Sequence, residues 1–369
     1  MNCHSVRYYF FLILFSLFLG VGQSVFSQAT LEDSVQANTL KSIYAPYFSI
    51  GVALSPKKMQ SEQSLQLLER HFNSLTAENE MKPQYILRKK GKYCWTHSDA
   101  VVKMAKQNNI KLRGHTLVWH NQTPDWFFED DRGNTIGKEE LYKRLYTYME
   151  KVMKRYKEDV YVWDVVNEAI TDANNKGLYR TKKSKWFDIC GPEFIGKAFR
   201  MAREINPDVQ LYYNDYNLIK PKKRERTYKM LKALLKEGVP IDGVGMQAHW
   251  YVEDSPEMVE KAIKRFTSLG LRIHITELDV SFFNHTQKHI TKDFDFTQKA
   301  NSKQAKAYAA FFEVFRKHAA VIDNVTLWGL SDKHSWLNNH PVKGRRNYPL
   351  LFDDQFRPKN AFYSISNFD

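Results

Sequence analysis

The sequence predicts a single α/β domain, a (β/α)8 TIM barrel, and three observations predict it. Short β-rich runs alternate eight times with longer amphipathic ones. The last seven short runs each end in polar or aromatic residues, where such barrels collect their chemistry. After the first segment, no Pro/Gly/Ser linker, low-complexity tract or repeat divides the chain, so one domain of catalytic size is the simplest organisation.

Residues 1–27 stand outside that fold. Arg7 precedes the apolar FFLILFSLFLGV at 10–21, and small residues including Ser24 and Ser27 follow, which is the layout of a cleaved secretory signal peptide. The apolar run is about 12 residues, too short to span a bilayer comfortably, and no later apolar run replaces it. A secreted protein, extracellular or periplasmic and off the membrane after cleavage, is expected. Cleavage of 27 residues from 369 leaves 342, the domain 28–369, enough for one large barrel.

The strand-like runs fall at 48–53, 72–77, 111–116, 160–166, 210–214, 243–249, 272–277 and 325–331. Helical periodicity fills the intervals at 61–71, 98–108, 138–156, 192–205, 222–237, 256–269 and 302–318, with a short eighth helix after Pro358. Ser255 before Pro256 reads as an N-cap with proline at the first helical position, which marks the start of the sixth helix.

A net charge of +14, or +13 once Arg7 is removed, raises the question of nucleic acid. The basic residues are dispersed in short clusters at 88–92, 220–226 and 343–346, with acids between them, and no zinc-ligand spacing or RNA-binding signature accompanies them. A solvated basic surface is the reading, without a nucleic-acid partner. Cys3 leaves with the signal, and Cys94 and Cys190 are expected as buried free thiols. Sequons occur at Asn121, Asn284 and Asn324.

The strand ends carry the chemistry. Strand two runs into TAENEMK (76–82), three into GHTLVWHNQ (114–122), four into WDVVNE (163–168) and five into NDYN (214–217). Strand six ends in QAH (247–249), seven in TELD (276–279) and eight in LWGLSDKHSW (327–336). Glu168 and Glu277 thus end two strands on roughly opposite sides of the barrel mouth. Two facing carboxyls suit glycoside hydrolysis, which needs a proton for the leaving oxygen and a negative charge beneath the developing oxocarbenium ion. A chain Glu277, His249, Asp279 would hold Glu277 ionised, as a nucleophile requires. Glu168 follows Val165 and Val166 among aromatic rim residues, where desolvation suits a general acid. Asn167 is placed to bond the 2-hydroxyl of the reacting sugar. Trp163, Asp215 and Asp332 stay open between supporting such a site and plain packing or turn chemistry.

GHTLVWHNQ, WDVVNEA, YNDYN, GMQAHW, ITELDV and TLWGLSDKHSW, in this order and each at its strand, resemble the successive motifs of glycoside hydrolase family 10 endo-1,4-β-xylanases. The resemblance runs from about residue 48 to the C-terminus. It implies a retaining (β/α)8 enzyme with Glu168 as acid/base and Glu277 as nucleophile. It further implies that Glu78, Asn79 and Lys82 contact sugars on the non-reducing side, and that His115, Trp119 and Gln122 surround the cleaved sugar. Asn167, Gln247 and His249 form the inner contacts, Tyr216 a stacking platform on the leaving-group side, and Trp328 and Trp336 the aromatic walls. His120 supports these by bonding Asp164, and Glu80 is structural. Leu337 and the Cys94-Trp95 pair depart from the family's pattern.

The substrate so implied is xylan and its oligosaccharides, taken by a monomer. Gln122 and Trp336 would crowd the hydroxymethyl arm that glucose has and xylose lacks. A related retaining β-1,4-glucanase is the alternative enzyme; a non-catalytic saccharide-binding barrel is disfavoured by the presence of both carboxylates. No metal or cofactor is expected, because the carboxyl pair supplies proton transfer and covalent stabilisation.

Overall fold

The strands are β1 (Ser49–Leu54), β2 (Ser74–Ala77), β3 (Lys111–Trp119), β4 (Val160–Asn167), β5 (Gln210–Asp215), β6 (Gly243–Met246), β7 (His249–Tyr251), β8 (Arg272–Ser281) and β9 (Ile322–Leu327). In the computed structural model, β1 to β6 pair in order, β6 pairs with β8, β8 with β9 and β9 with β1, all parallel. This closes the expected (β/α)8 barrel. The structure describes residues 39–59, 61–172, 177–284 and 286–368, so the expected signal segment 1–27 lies outside the described residues.

The ninth strand arises from a break. The run expected at 243–249 stops at Met246, and β7 resumes at His249 to pair with the upper end of β8. Ala248 causes the interruption: its φ of +63° is left-handed and cannot continue a strand. β3 extends past the expected 116 to Trp119, because pairing with β4 resumes at Val118 and Trp119 after a register shift. β9 begins earlier than expected and ends at Leu327, leaving 328–331 as rim loop.

The helices are α1 (Leu40–Ile43), α2 (Glu62–His71), α3 (Pro83–Ile86), α4 (Thr96–Gln107), α5 (Lys138–Arg155), α6 (Lys185–Cys190), α7 (Glu193–Ile205), α8 (Pro221–Lys236), α9 (Pro256–Thr267), α10 (Gln298–Lys317) and α11 (Asn360–Ser366). Helices α1, α3 and α6 are one or two turns long, too short for periodicity to announce. Ser61 caps α2 by accepting from Ser64 N at 3.2 Å. Thr297 does the same for α10 through Ala300 N, which starts that helix four residues before the expected 302. Ser255 is the N-cap of α9 with Pro256 at the first turn, as expected, although its hydroxyl bonds Glu257 rather than a backbone amide.

Helices cover the outside of the sheet, so the strands are buried on both faces and read as nearly continuous apolar runs. Inside the barrel the filling is unusually polar. Arg113 is fully buried, donates from Nε to Asp164 Oδ2 at 3.1 Å and from a terminal nitrogen to Asp164 Oδ1, and meets His274 Nδ1 at 2.5 Å. Burial and the charges of Arg113 and Arg272 hold His274 neutral, its pKa well below the usual range, so it accepts from the guanidinium. Trp163 fills the space beside Gly114, where a Cβ would stand 2.2 Å from the indole; its role is packing. Asp332 is paired with Lys359 at 2.8 Å, both buried, and accepts from Leu350 N, tying the last rim loop to the C-terminal segment.

Both Cys94 and Cys190 are free, but only Cys190 is buried; Cys94 is half-buried, contrary to expectation. Asn324 is fully buried and bonded to Ser49, so that sequon is closed in the folded chain. Among the described residues, no helix is long and apolar enough to cross a membrane.

Candidate active site

The strand ends open into a cleft of about 1020 Å³. Its lining includes Glu78, Asn79, Lys82, His115, Trp119, His120, Gln122, Asn167, Glu168, Tyr216, Gln247, His249, Glu277, Trp328 and Trp336, which brings every expected catalytic and sugar-binding residue to one wall-to-wall site. Asp164 and Asp279 lie beneath it, each 1% exposed. Among the described residues no cluster of His, Cys, Asp or Glu is arranged to hold a metal ion.

Glu277, near the middle of β8, is held on both oxygens. Asn214 Nδ2 donates to Oε1 at 2.8 Å, and His249 Nε2 lies 3.2 Å from Oε2. His249 Nδ1 is 3.0 Å from Asp279 Oδ2, which also accepts from Trp336 Nε1 at 2.8 Å. The chain Glu277, His249, Asp279 inferred from spacing is therefore present. Burial would push the His249 imidazolium towards neutrality, but Asp279 and Glu277 outweigh it and raise its pKa to about 10. Burial likewise opposes the Glu277 carboxylate, yet the His249 bond, the His115 and His249 charges and the Asn214 bond together hold it below the usual carboxylate range.

Glu168 sits differently. Its neighbours are amides: Gln247 Nε2 donates to Oε1 at 3.1 Å, and Asn167 Nδ2 lies 3.4 Å from the same oxygen. Asn214 Nδ2 and Gln247 Nε2 both reach Asn167 Oδ1, at 2.9 and 3.2 Å, so an amide chain links the surroundings of the two carboxyls. With the Asn167 amide turned over, its oxygen accepts instead from Trp119 Nε1 at 3.3 Å.

The expectation for His120 needs correction. Asp164 bonds His115, Nδ1 to Oδ2 at 2.9 Å, not His120. Register explains this, because His115 lies directly opposite Asp164 across the β3–β4 pair, whereas His120 follows the end of β3 at the rim. There His120 Nδ1 is 3.9 Å from Glu168 Oε2 and has no hydrogen-bond partner. Burial first, then the charges of Arg180 and Lys223, lowers its pKa to about 3, so it faces Glu168 as a neutral ring.

The residues expected on the non-reducing side form their own set. Asn79 Oδ1 accepts from Lys82 Nζ at 3.1 Å and from Gln122 Nε2 at 3.3 Å. Lys82 is buried with its ammonium 4.9 Å from the Trp119 ring centroid. Glu78 is paired with Lys58 at 2.6 Å. Glu80 is structural as read, accepting from Ser55 Oγ at 2.6 Å and from Asn79 N at 3.1 Å. On the walls, the Trp328 ring meets His115 edge-on at 5.5 Å and Trp336 stacks on His340 at 5.2 Å. Across the cleft, Tyr216 is fixed by Arg180, whose terminal nitrogen donates to its hydroxyl at 2.7 Å.

Several residues here escaped the sequence reading. Asn214 touches Glu277 itself; standing first in NDYN at a strand end, it had a signal that was left unused. Arg180, Lys183, Lys288, Asn339 and His340 line the cleft from loops, where no periodicity places a side chain. Leu337, one of the two noted departures, is buried and takes no part in that lining.

The family profile described as glycosyl hydrolase family 10 matches residues 39–368. Endo-1,4-beta-xylanase A of Caldicellulosiruptor saccharolyticus is 46% identical over 332 residues, 89% of this chain and 96% of that protein. The crystal structure of an endo-1,4-beta-xylanase from Caldicellulosiruptor owensensis superposes with a TM-score of 0.86 at 44% identity, over 89% of this chain and 99% of the other. A mutant solved in complex with xylotriose matches with the same TM-score, identity and coverage. Barrel, carboxyl pair and likeness along nearly the whole described length agree, and the chain belongs to glycosyl hydrolase family 10.

Proposed function

We propose that this protein is an endo-1,4-β-xylanase that hydrolyses internal β-1,4-xylosidic bonds by double displacement, with Glu168 as acid/base and Glu277 as nucleophile. One observation carries the assignment. The two carboxyls face one cleft in opposite environments: Glu277 is gripped by the His249 cation and Asn214, while Glu168 meets amides and a neutral imidazole. A pair in which one group is kept ionised while the other exchanges a proton is what retaining hydrolysis needs.

In the first step Glu277 attacks the anomeric carbon, the bond to the leaving oxygen breaks, and Glu168 gives that oxygen its proton. In the second, Glu168 takes a proton from water, which displaces Glu277 and releases the sugar with its original configuration. Both steps are complete without a metal or organic cofactor. Glu78, Asn79, Lys82 and Gln122 bind xylose units on the non-reducing side, Asn167 the 2-hydroxyl of the reacting sugar, and Tyr216 the leaving side. Trp328 and Trp336 wall the centre. Residues 1–27 direct export, and 28–369 act as a monomer on xylan and xylo-oligosaccharides.

Proton NMR of the first products tests the mechanism. The β-anomer is expected before mutarotation; the α-anomer appearing first overturns double displacement. Initial rates test the substrate, and a higher rate on carboxymethylcellulose than on xylan would overturn the xylan reading.

A further inference from the structure

Glu168 has a φ of +58°, in the left-handed region that L-residues other than glycine avoid. Such a conformation persists where its surroundings over-determine it. Here every backbone hydrogen-bonding group from Glu168 N to Ala169 N, and the Ile170 carbonyl beyond, is held. Glu168 N donates to Asn214 O at 2.9 Å, and Arg180 Nε donates to Glu168 O at 2.9 Å. Ala169 N donates to Tyr213 Oη at 3.1 Å, and Lys223 Nζ donates to Ile170 O at 2.8 Å. Ala169 O in turn accepts from Arg180 N at 2.8 Å.

Two of the side chains that make these contacts, Tyr213 and Lys223, meet on one group, and Arg180 is tied to it through Tyr216. Asp215 is fully buried, one residue after Asn214 on β5. Tyr213 Oη donates to its Oδ2 at 2.5 Å, and Lys223 Nζ is 3.0 Å from its Oδ1. Tyr216 N donates to Oδ1 at 2.9 Å, and the Tyr216 hydroxyl takes the bond from Arg180. A single hydroxyl, Tyr213 Oη, thus connects the buried carboxylate to the amide next to Glu168. Arg180 and Tyr216 reach the cleft lining, but Tyr213, Asp215 and Lys223 take no part in it, so the influence of these three on the reaction must pass through the direction in which Glu168 points.

We propose that Tyr213, Asp215, Lys223 and Arg180 are positioning residues that lock the left-handed turn at Glu168 and so aim its carboxyl at the leaving oxygen, with the Tyr213 hydroxyl as the central link. This rests on the reading of Glu168 as acid/base. An aim that serves proton donation matters in proportion to the leaving group's need for a proton. A merely structural role would weaken all substrates alike.

The test is kcat/KM, which reports the first chemical step, for Tyr213→Phe on two aryl β-xylobiosides. With phenol as leaving group, kcat/KM is expected to fall about ten- to hundred-fold, the cost of a misdirected general acid. With 2,4-dinitrophenol, which departs without a proton, it stays within about two-fold. Asp215→Asn, which keeps the buried shape outside the cleft lining and weakens the hold on the Tyr213 hydroxyl, shows the same direction should Tyr213→Phe fold poorly. Equal loss on both substrates, or no loss on either, overturns the proposal. Glu168→Gln measured beside it separates the two readings. A steep leaving-group dependence there with a flat one in Tyr213→Phe and Asp215→Asn defeats the positioning role alone, whereas a flat response in Glu168→Gln defeats the acid/base assignment and the positioning role with it.

Discussion

Replacing Arg113 by methionine keeps most of the side chain's length and removes its charge from the barrel interior. The fully buried guanidinium makes two hydrogen bonds to Asp164 and one contact with His274, so the substitution leaves a carboxylate that is 1% exposed with His115 as its remaining side-chain partner. Breaking a buried ion pair on one side costs about 3–5 kcal/mol, because the surviving charge stays desolvated. Urea unfolding followed by tryptophan fluorescence reads that loss directly. Adding Asp164→Asn removes the stranded charge, and the double variant is expected to recover at least about 1 kcal/mol relative to Arg113→Met alone. A loss below about 1 kcal/mol for Arg113→Met, or no recovery in the double variant, would refute the view that this pair balances its own burial.

Three further outcomes are expected. His249 is raised from 6.5 to about 10, so its contribution to stability is complete below the unfolded value and is lost as pH rises through about 10. Between those limits the unfolding free energy should fall with a slope approaching about 1.4 kcal/mol per pH unit, and His249→Asn should flatten it in a urea series across pH. Glu277→Ala should lower turnover roughly ten-thousand-fold while calorimetry still detects xylo-oligosaccharide binding; near-normal turnover removes Glu277 from the nucleophile role. Gly114→Ala, whose new Cβ would stand 2.2 Å from the Trp163 ring, should destabilise by about 1–3 kcal/mol in thermal or urea unfolding.

The barrel was legible because its strands and helices each carry a period that survives in one dimension. Glu168 and Glu277 were legible because they interrupt apolar runs where the pattern said a strand should end. Geometry between strands was not. His115 and His120 are five residues apart in one motif, and only the pairing of His115 opposite Asp164 tells which of them bonds that carboxylate. Nothing in the sequence sets Arg113 apart from the other basic residues of a basic chain, although it is buried in the barrel. Arg180 and His340 come from loops, whose course depends on what they pack against. The split between β6 and β7 turns on the backbone angle of Ala248, a residue type that gives no warning of a left-handed turn.

Among the described residues, five of the eight non-glycine positions with left-handed backbone stand at the mouth of the barrel: Gln122, Glu168, Lys183 and Asn217 line the cleft, and Ala248 separates Gln247 from His249. For anyone breeding this protein towards heat tolerance, that distribution divides the molecule in two. Relaxing the mouth would gain stability and redirect the side chains that line the cleft, so selection for both stability and activity should pass it by. Gains should accumulate at the closed floor and along the outer helices, where caps and surface charges can be improved without moving a side chain in the cleft.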